Sequence, residues 1–156
     1  MPPHKFTNWA QTFSCVAAEY HEPSCLADVR ALVRKANRNG SRVKVVGAGH
    51  SPSDLACTTG IMLSLDRMNQ VLKVDKTKNQ VTVQGGIRLK DLHRRLDAEG
   101  LAMSNLGSIS EQSLAGAIST ATHGTGWNYG VLSTTIVDME VRRAATASPA
   151  RTHFVC

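Results

Sequence analysis

The stretch Val43–Asp54, VKVVGAGHSPSD, decides how the chain is read. Val43, Val45 and Val46 are β-branched, and Arg42 and Lys44 alternate with them, which suits a half-buried strand. The run ends in Gly47-Ala48-Gly49, followed by His50, Ser51 and Pro52. Glycines directly after a strand let the backbone take positive φ and approach a ligand closely. A turn of this kind gathers N–H groups into an anion-binding concavity. Pro52 biases Ser51 toward an extended conformation. The stretch is predicted to present backbone donors to a phosphate and to hold His50 beside it. Taken alone, GAGHS fits a tight turn with a surface histidine equally well.

Outward from this stretch, length and composition narrow the possibilities. With 156 residues and 42% hydrophobic residues, the chain is one globular domain or part of one. The net charge of +6 is dispersed over several segments, with no block of like charges and no aromatics interleaved. That pattern is a solvated face, and a nucleic-acid partner is not expected. Cys15, Cys25, Cys57 and Cys156 form no C-x-x-C pair, so zinc-ligand spacing is absent. Free thiols in a reducing, intracellular compartment are the expectation. No continuous apolar run is long enough to span a membrane, and residues 1–20 lack the apolar core of a signal peptide.

Residues 1–6 are predicted to be a loose end. Phe6, Trp9 and Phe13, spaced three and four apart, read as core packing. A helix is predicted from Cys25 to Asn39, with Ser24 as N-cap, a stripe of Leu26, Val29, Leu32, Val33 and Ala36, and Gly40 as its stop. Ile61–Leu65 reads as a strand, and Val71–Val74 with Gln80–Gln84 as a hairpin turning through 75–79. Leu89, Leu92 and Leu96 define a second helix closed by Gly100, on which His93 is expected to be solvated.

Residues 105–126, NLGSISEQSLAGAISTATHGTG, are the second informative stretch. Seven Ser and Thr residues and four Gly are separated by small apolar residues. Small side chains permit close approach to a flat or extended ligand, and hydroxyls supply adaptable donors. Leu114, Ala117 and Ile118 predict a short helix whose N-terminus follows Ser110 and directs a positive dipole end toward phosphate.

The two stretches together resemble the flavin-binding domain of the sugar-1,4-lactone oxidases, the L-gulonolactone and D-arabinono-1,4-lactone oxidases of the vanillyl-alcohol-oxidase superfamily. The matching residues are 43–54 and DLHRRLDAEGLAMSNLGSISEQSLAGAISTATHGTG at 91–126, with NWA at 8–10. A G-x-G-x-x-G fingerprint is absent, which disfavours a Rossmann dehydrogenase. The resemblance implies an α+β, two-lobed PCMH-type FAD-binding domain over 6–141. Its first lobe would span about 6–65 and its second about 71–141, with a flavin groove between them.

It further implies that Val45, Val46, Gly47, Ala48, Gly49, His50 and Ser51 surround the FAD pyrophosphate. In the family, the histidine matching His50 is bonded covalently to the 8α carbon of the isoalloxazine. Ser108, Ser113, Gly116, Ser119, Thr120, Ala121 and Thr122 match flavin-contacting positions, and His123 and Gly124 continue the motif. The implied activity is oxidation of a sugar-1,4-lactone by dioxygen, yielding hydrogen peroxide in ascorbate or erythroascorbate biosynthesis. The family is associated with mitochondrial or endoplasmic-reticulum membranes.

The chain departs from the pattern in length and in its tail. Residues 142–156 turn into small residues, Arg and Pro149 instead of continuing a strand. The family's substrate domain has no counterpart here, so no catalytic residues are assigned, and a lactone partner requires completion by such a domain. The alternative expectation is a truncated, non-catalytic flavin-binding module or a non-functional product. A strand near Ile136–Val141 would then carry an unpaired edge, which invites association with other chains.

Overall fold

The structure is a computed structural model and describes residues 2–142. The divergent tail, 143–156, lies outside the described residues. The described chain forms two compact units, residues 2–68 with 141 and 142, and residues 69–140.

The first unit begins with β1 (His4–Thr7), paired antiparallel with β2 (Ser14–Ala17), His4 opposite Ala17 and Thr7 opposite Ser14. The expected loose end is therefore a strand. Its hairpin loop is pinned by Asn8, whose Oδ1 accepts from the Thr12 and Phe13 amides at 2.9 and 3.0 Å. The loop also corrects the packing expectation. Phe6 packs on the core, but Trp9 and Phe13 are exposed. The helical spacing of these aromatics does not correspond to one face when the chain is a hairpin.

β3 (Glu19–His21) leads to α1 (Leu26–Arg38), then β4 (Val43–Val46) and β5 (Ile61–Ser64). The three strands form a parallel sheet ordered β3-β5-β4. β5 is central, and all four of its residues are buried, as a strand flanked on both sides requires. The N-cap of α1 is Cys25, without a side-chain cap. Ser24, expected in that role, lies one residue earlier and bonds Asp28 through its amide at 3.3 Å. Gly40 closes the helix at φ +63, where only glycine is unstrained. Glu19 accepts from Lys35 Nζ at 2.7 and 2.9 Å and bonds the His21 ring at 2.7 Å, tying β3 to α1. These partners, Lys35 first, hold the Glu19 carboxyl at about 2 instead of an ordinary 4.5. Ala17, Ala36, Val46, Ile61, Met62 and Leu63 are the unit's buried apolar residues, of which Ala17, Val46 and Met62 form one cluster with Phe6, Cys15, Tyr20 and Ala56 packed against it.

The second unit opens with the hairpin β6 (Val71–Asp75) and β7 (Gln80–Val83), turning through 76–79 with Asn79 at positive φ. α2 (Leu89–Asp97) buries Leu89, Leu92 and Leu96. α3 (Leu114–Ser119) buries Leu114 and Ala117. A 3-10 turn at Leu132–Thr135 adds Leu132. With Val81 and Ile87 these make a core of eight buried residues. His93 is half-buried, not solvated: Nε2 is buried without a partner, and burial lowers the ring's pKa. Residues 136–142 form no strand. A strand needs a ladder partner, and none lies alongside among the described residues.

Candidate functional site

In the first unit the site is the loop that leaves β4. Val46 is buried and anchors the loop's start, while Val45 is 54% exposed. Gly49 takes φ +67, and a Cβ there would lie 3.2 Å from the Phe6 ring. Gly47 is not in that region. The Trp9 amide donates to the Gly49 carbonyl at 2.8 Å. Asn8 Nδ2 donates to the Ser51 carbonyl at 3.0 Å, and Thr12 Oγ1 to that of Pro52 at 3.2 Å. Three of the loop's carbonyls are thus engaged by the β1–β2 hairpin. Its amides are not: the N–H groups of Ala48, Gly49, His50 and Ser51 take no acceptor among the described residues.

His50 stacks on Trp9, ring centroids 5.4 Å apart and planes at 22°. Its Nδ1 is buried and unpartnered. A polar atom left so costs about 1–3 kcal/mol, so the position carries an unmet demand for a partner. Free amides and a positive-φ glycine fit an anionic ligand, and the imidazole nitrogen is left open to a partner.

In the second unit, residues 110–115 are laced to 85–90 by main-chain bonds. Leu89 N donates to Gln112 O, Lys90 N to Ser110 O and Leu114 N to Ile87 O, each at 2.9 Å. Ser113 stands at the N-cap position of α3 and is only 2% exposed, yet its Oγ makes no cap bond and has no partner. The helix begins at Leu114 and not after Ser110, and its six residues are too short for a strong dipole end. Asn105 Nδ2 and Gln112 Oε1 are also buried and unpartnered.

Residues 105–107 lie against 122–124. A Cβ on Gly107 would fall 2.8 Å from Thr122 Cγ2, and one on Gly124 would collide with the Leu106 carbonyl and Asn105 Oδ1. Ala121 takes φ +52, a conformation that L residues adopt at a cost. Ser119 and Thr120 spend their hydroxyl protons on the Ala115 and Gly116 carbonyls at 2.7 and 3.0 Å. Ser108 and His123 are exposed, and His123 Nδ1 lies 2.9 Å from its neighbour's carbonyl.

Sequence alone marks Asn8 only as part of the NWA match at 8–10 and assigns no role to it, to Asn105 or to Gln112. Asn105 and Gln112 stand inside a stretch it had marked, but only burial without a partner distinguishes them. Asn8 is legible only once its long-range bond to Ser51 is known.

A profile of the family described as an FAD binding domain matches residues 17–146. The chain belongs to the FAD binding domain family. FAD is accordingly the cofactor of this fold. Among curated proteins, the domain is similar to mouse (Mus musculus) L-gulonolactone oxidase, 47% identical over 140 residues, which cover 90% of this chain and 32% of that one. It is also similar to D-arabinono-1,4-lactone oxidase of Candida glabrata, 44% identical over 140 residues, covering 87% and 27%. The chain therefore spans about a third of the length of the lactone oxidases it matches.

Among solved structures it resembles a solvent-stable cholesterol oxidase (TM-score 0.78, 22% identity, 87% of this chain and 29% of that one). An alkyldihydroxyacetonephosphate synthase is similar as well (TM-score 0.72, 20% identity, 87% and 30%). At such identities the likeness is one of fold, and the α+β PCMH-type assignment rests on it. No helix among the described residues is long and apolar enough to cross a membrane.

Proposed function

We propose that this domain is the flavin-binding portion of a sugar-1,4-lactone oxidase, with His50 as the covalent attachment point. The observation that carries the reading is the buried, unpartnered Nδ1 of His50 at the end of a loop whose amides are unspent. The two-electron acceptor for lactone oxidation is what FAD supplies when bound. The chain's own residues bind and orient. Ala48, Gly49, His50 and Ser51 offer N–H groups to the diphosphate, and Val45, Val46 and Gly47 set the loop's departure from β4. Ser108, Ser113, Gly116, Ser119, Thr120, Ala121, Thr122 and His123 form the second contact set, to which Asn105 and Gln112 add a donor and an acceptor.

Attachment requires neutral imidazole. Were FAD bound, one ring nitrogen of His50 would take the 8α carbon, with one hydrogen lost from the imidazole and one from the methyl group, both of which dioxygen would take as hydrogen peroxide. No residue of this chain is assigned to the lactone. Lobes of about 6–65 and 71–141 remain the proposed domain plan.

Ser113 provides the test. Removing a buried hydroxyl without a partner relieves the apo protein of an unmet hydrogen bond. Ser113→Ala is expected to melt no lower than the parent and to bind FAD roughly two- to tenfold more weakly, as measured by flavin fluorescence titration. Unchanged affinity removes Ser113 from the site, and absence of saturable FAD binding in the parent contradicts the proposal.

A further inference from the structure

The β1–β2 hairpin does more than cover the core. Asn8 is 4% exposed and uses both ends of its amide. Oδ1 takes the Thr12 and Phe13 amides, while Nδ2 reaches Thr12 Oγ1 at 2.9 Å and the Ser51 carbonyl at 3.0 Å. The next residue, Trp9, donates its amide to Gly49 O at 2.8 Å and lays its indole on the His50 ring at 5.4 Å. Phe6 fills the space beside the Gly49 Cα, and Thr12 holds the Pro52 carbonyl. One hairpin therefore grips residues 49, 51 and 52 by their carbonyls and residue 50 by its ring.

Trp9 is also 69% exposed. Burial is thus a weak reason for a tryptophan at this place, whereas a flat face against an imidazole is a direct one. From these contacts we infer that Asn8 and Trp9 form a positioning clamp that fixes the plane of the His50 imidazole for flavin attachment.

Asn8 sets the loop's path and Trp9 sets the ring's rotation about its own bond. Neither reacts. The clamp rests on the attachment reading for its purpose, but its geometry belongs to the protein without flavin and is testable there.

The experiment uses the full chain in two arms. In the apo protein, the His50 ring C–H resonances are assigned by their loss in His50→Ala. The indole ring current shifts them upfield in the parent. Trp9→Leu abolishes that shift, Trp9→Phe retains most of it, and Asn8→Asp, which keeps the acceptor but loses the donor to Ser51, reduces it. In the second arm the proteins are incubated with FAD, and acid-stable flavin is followed in time. Trp9→Leu and Asn8→Asp attach roughly two- to tenfold more slowly, and Trp9→Phe recovers most of the rate.

His50 resonances unmoved in Trp9→Leu, or equal attachment rates in all four proteins, overturn the clamp. A parent that never attaches flavin contradicts the attachment proposal instead, and the apo resonances then decide the clamp alone. Trp9 is exposed, so its variants are expected to fold even if those of Asn8 do not.

Discussion

The two candidate segments are held by different physics. The glycine loop of the first unit is gripped from outside by one hairpin, through three carbonyls and one ring, and the buried cluster that includes Val46 at its start holds only two others, Ala17 and Met62. The 105–124 segment of the second unit is stitched to its own neighbours by main-chain bonds and rests on a core of eight. A segment built from main-chain bonds and core contacts forms when its unit forms. A segment held by a few side chains can lose its geometry while the unit persists. The first should respond to point changes near the loop, and the second to changes in the core beneath it.

The largest effect is expected in the second unit. Leu92 is buried in the core shared by α2 and α3. Leu92→Ala should destabilise by about 2–5 kcal/mol, since truncation there leaves a cavity as well as losing burial. Thermal melting with amide exchange should show the 110–115 amides losing protection together with those of α2. Protection of 110–115 that survives the loss of α2 would break the distinction.

A change at Gly49 should behave oppositely. Gly49→Val places a branched side chain at φ +67, costing about 1–2 kcal/mol. Its Cβ also meets the Phe6 ring at 3.2 Å. FAD binding is expected to fall further than folding stability. An equal loss in titration and melting would make the turn purely structural.

The smallest effect concerns acid. Glu19 has a carboxyl lowered to about 2 by Lys35 and His21, so its contribution is complete above its unfolded value near 4.5 and is lost as pH falls toward 2. The pair is solvent-accessible, and the contribution is correspondingly modest. Glu19→Gln should lower the melting temperature slightly at neutral pH and flatten its decline between those two values. A decline as steep as the parent's would assign acid sensitivity elsewhere.

Much of this organisation is legible in the residues, because it rests on local rules. Valines ahead of Gly47, the leucine stripe of α2, the polar turn before Gln80, and Gly40 and Gly100 at helix ends all correspond to the observed elements. What escaped the sequence depends on partners far along the chain. The β1–β2 hairpin lacks a strong turn dipeptide. It is closed by Asn8, whose role appears only with Ser51 forty-three residues away. The strand expected near 136–141 has β-branched residues but no ladder partner among the described residues. At the candidate site, the glycine loop and the Ser/Thr-rich stretch announce themselves by composition. The unmet demands of His50, Asn105, Gln112 and Ser113 follow from burial, which composition does not report.

The most direct test is at His50. The purified chain is incubated with FAD, precipitated with acid, digested and mapped by mass spectrometry, alongside His50→Ala. The account predicts a flavin adduct on the peptide carrying His50 in the parent and none in the variant. An adduct that persists in His50→Ala, or a parent that binds FAD but releases all of it on acid precipitation, would contradict it.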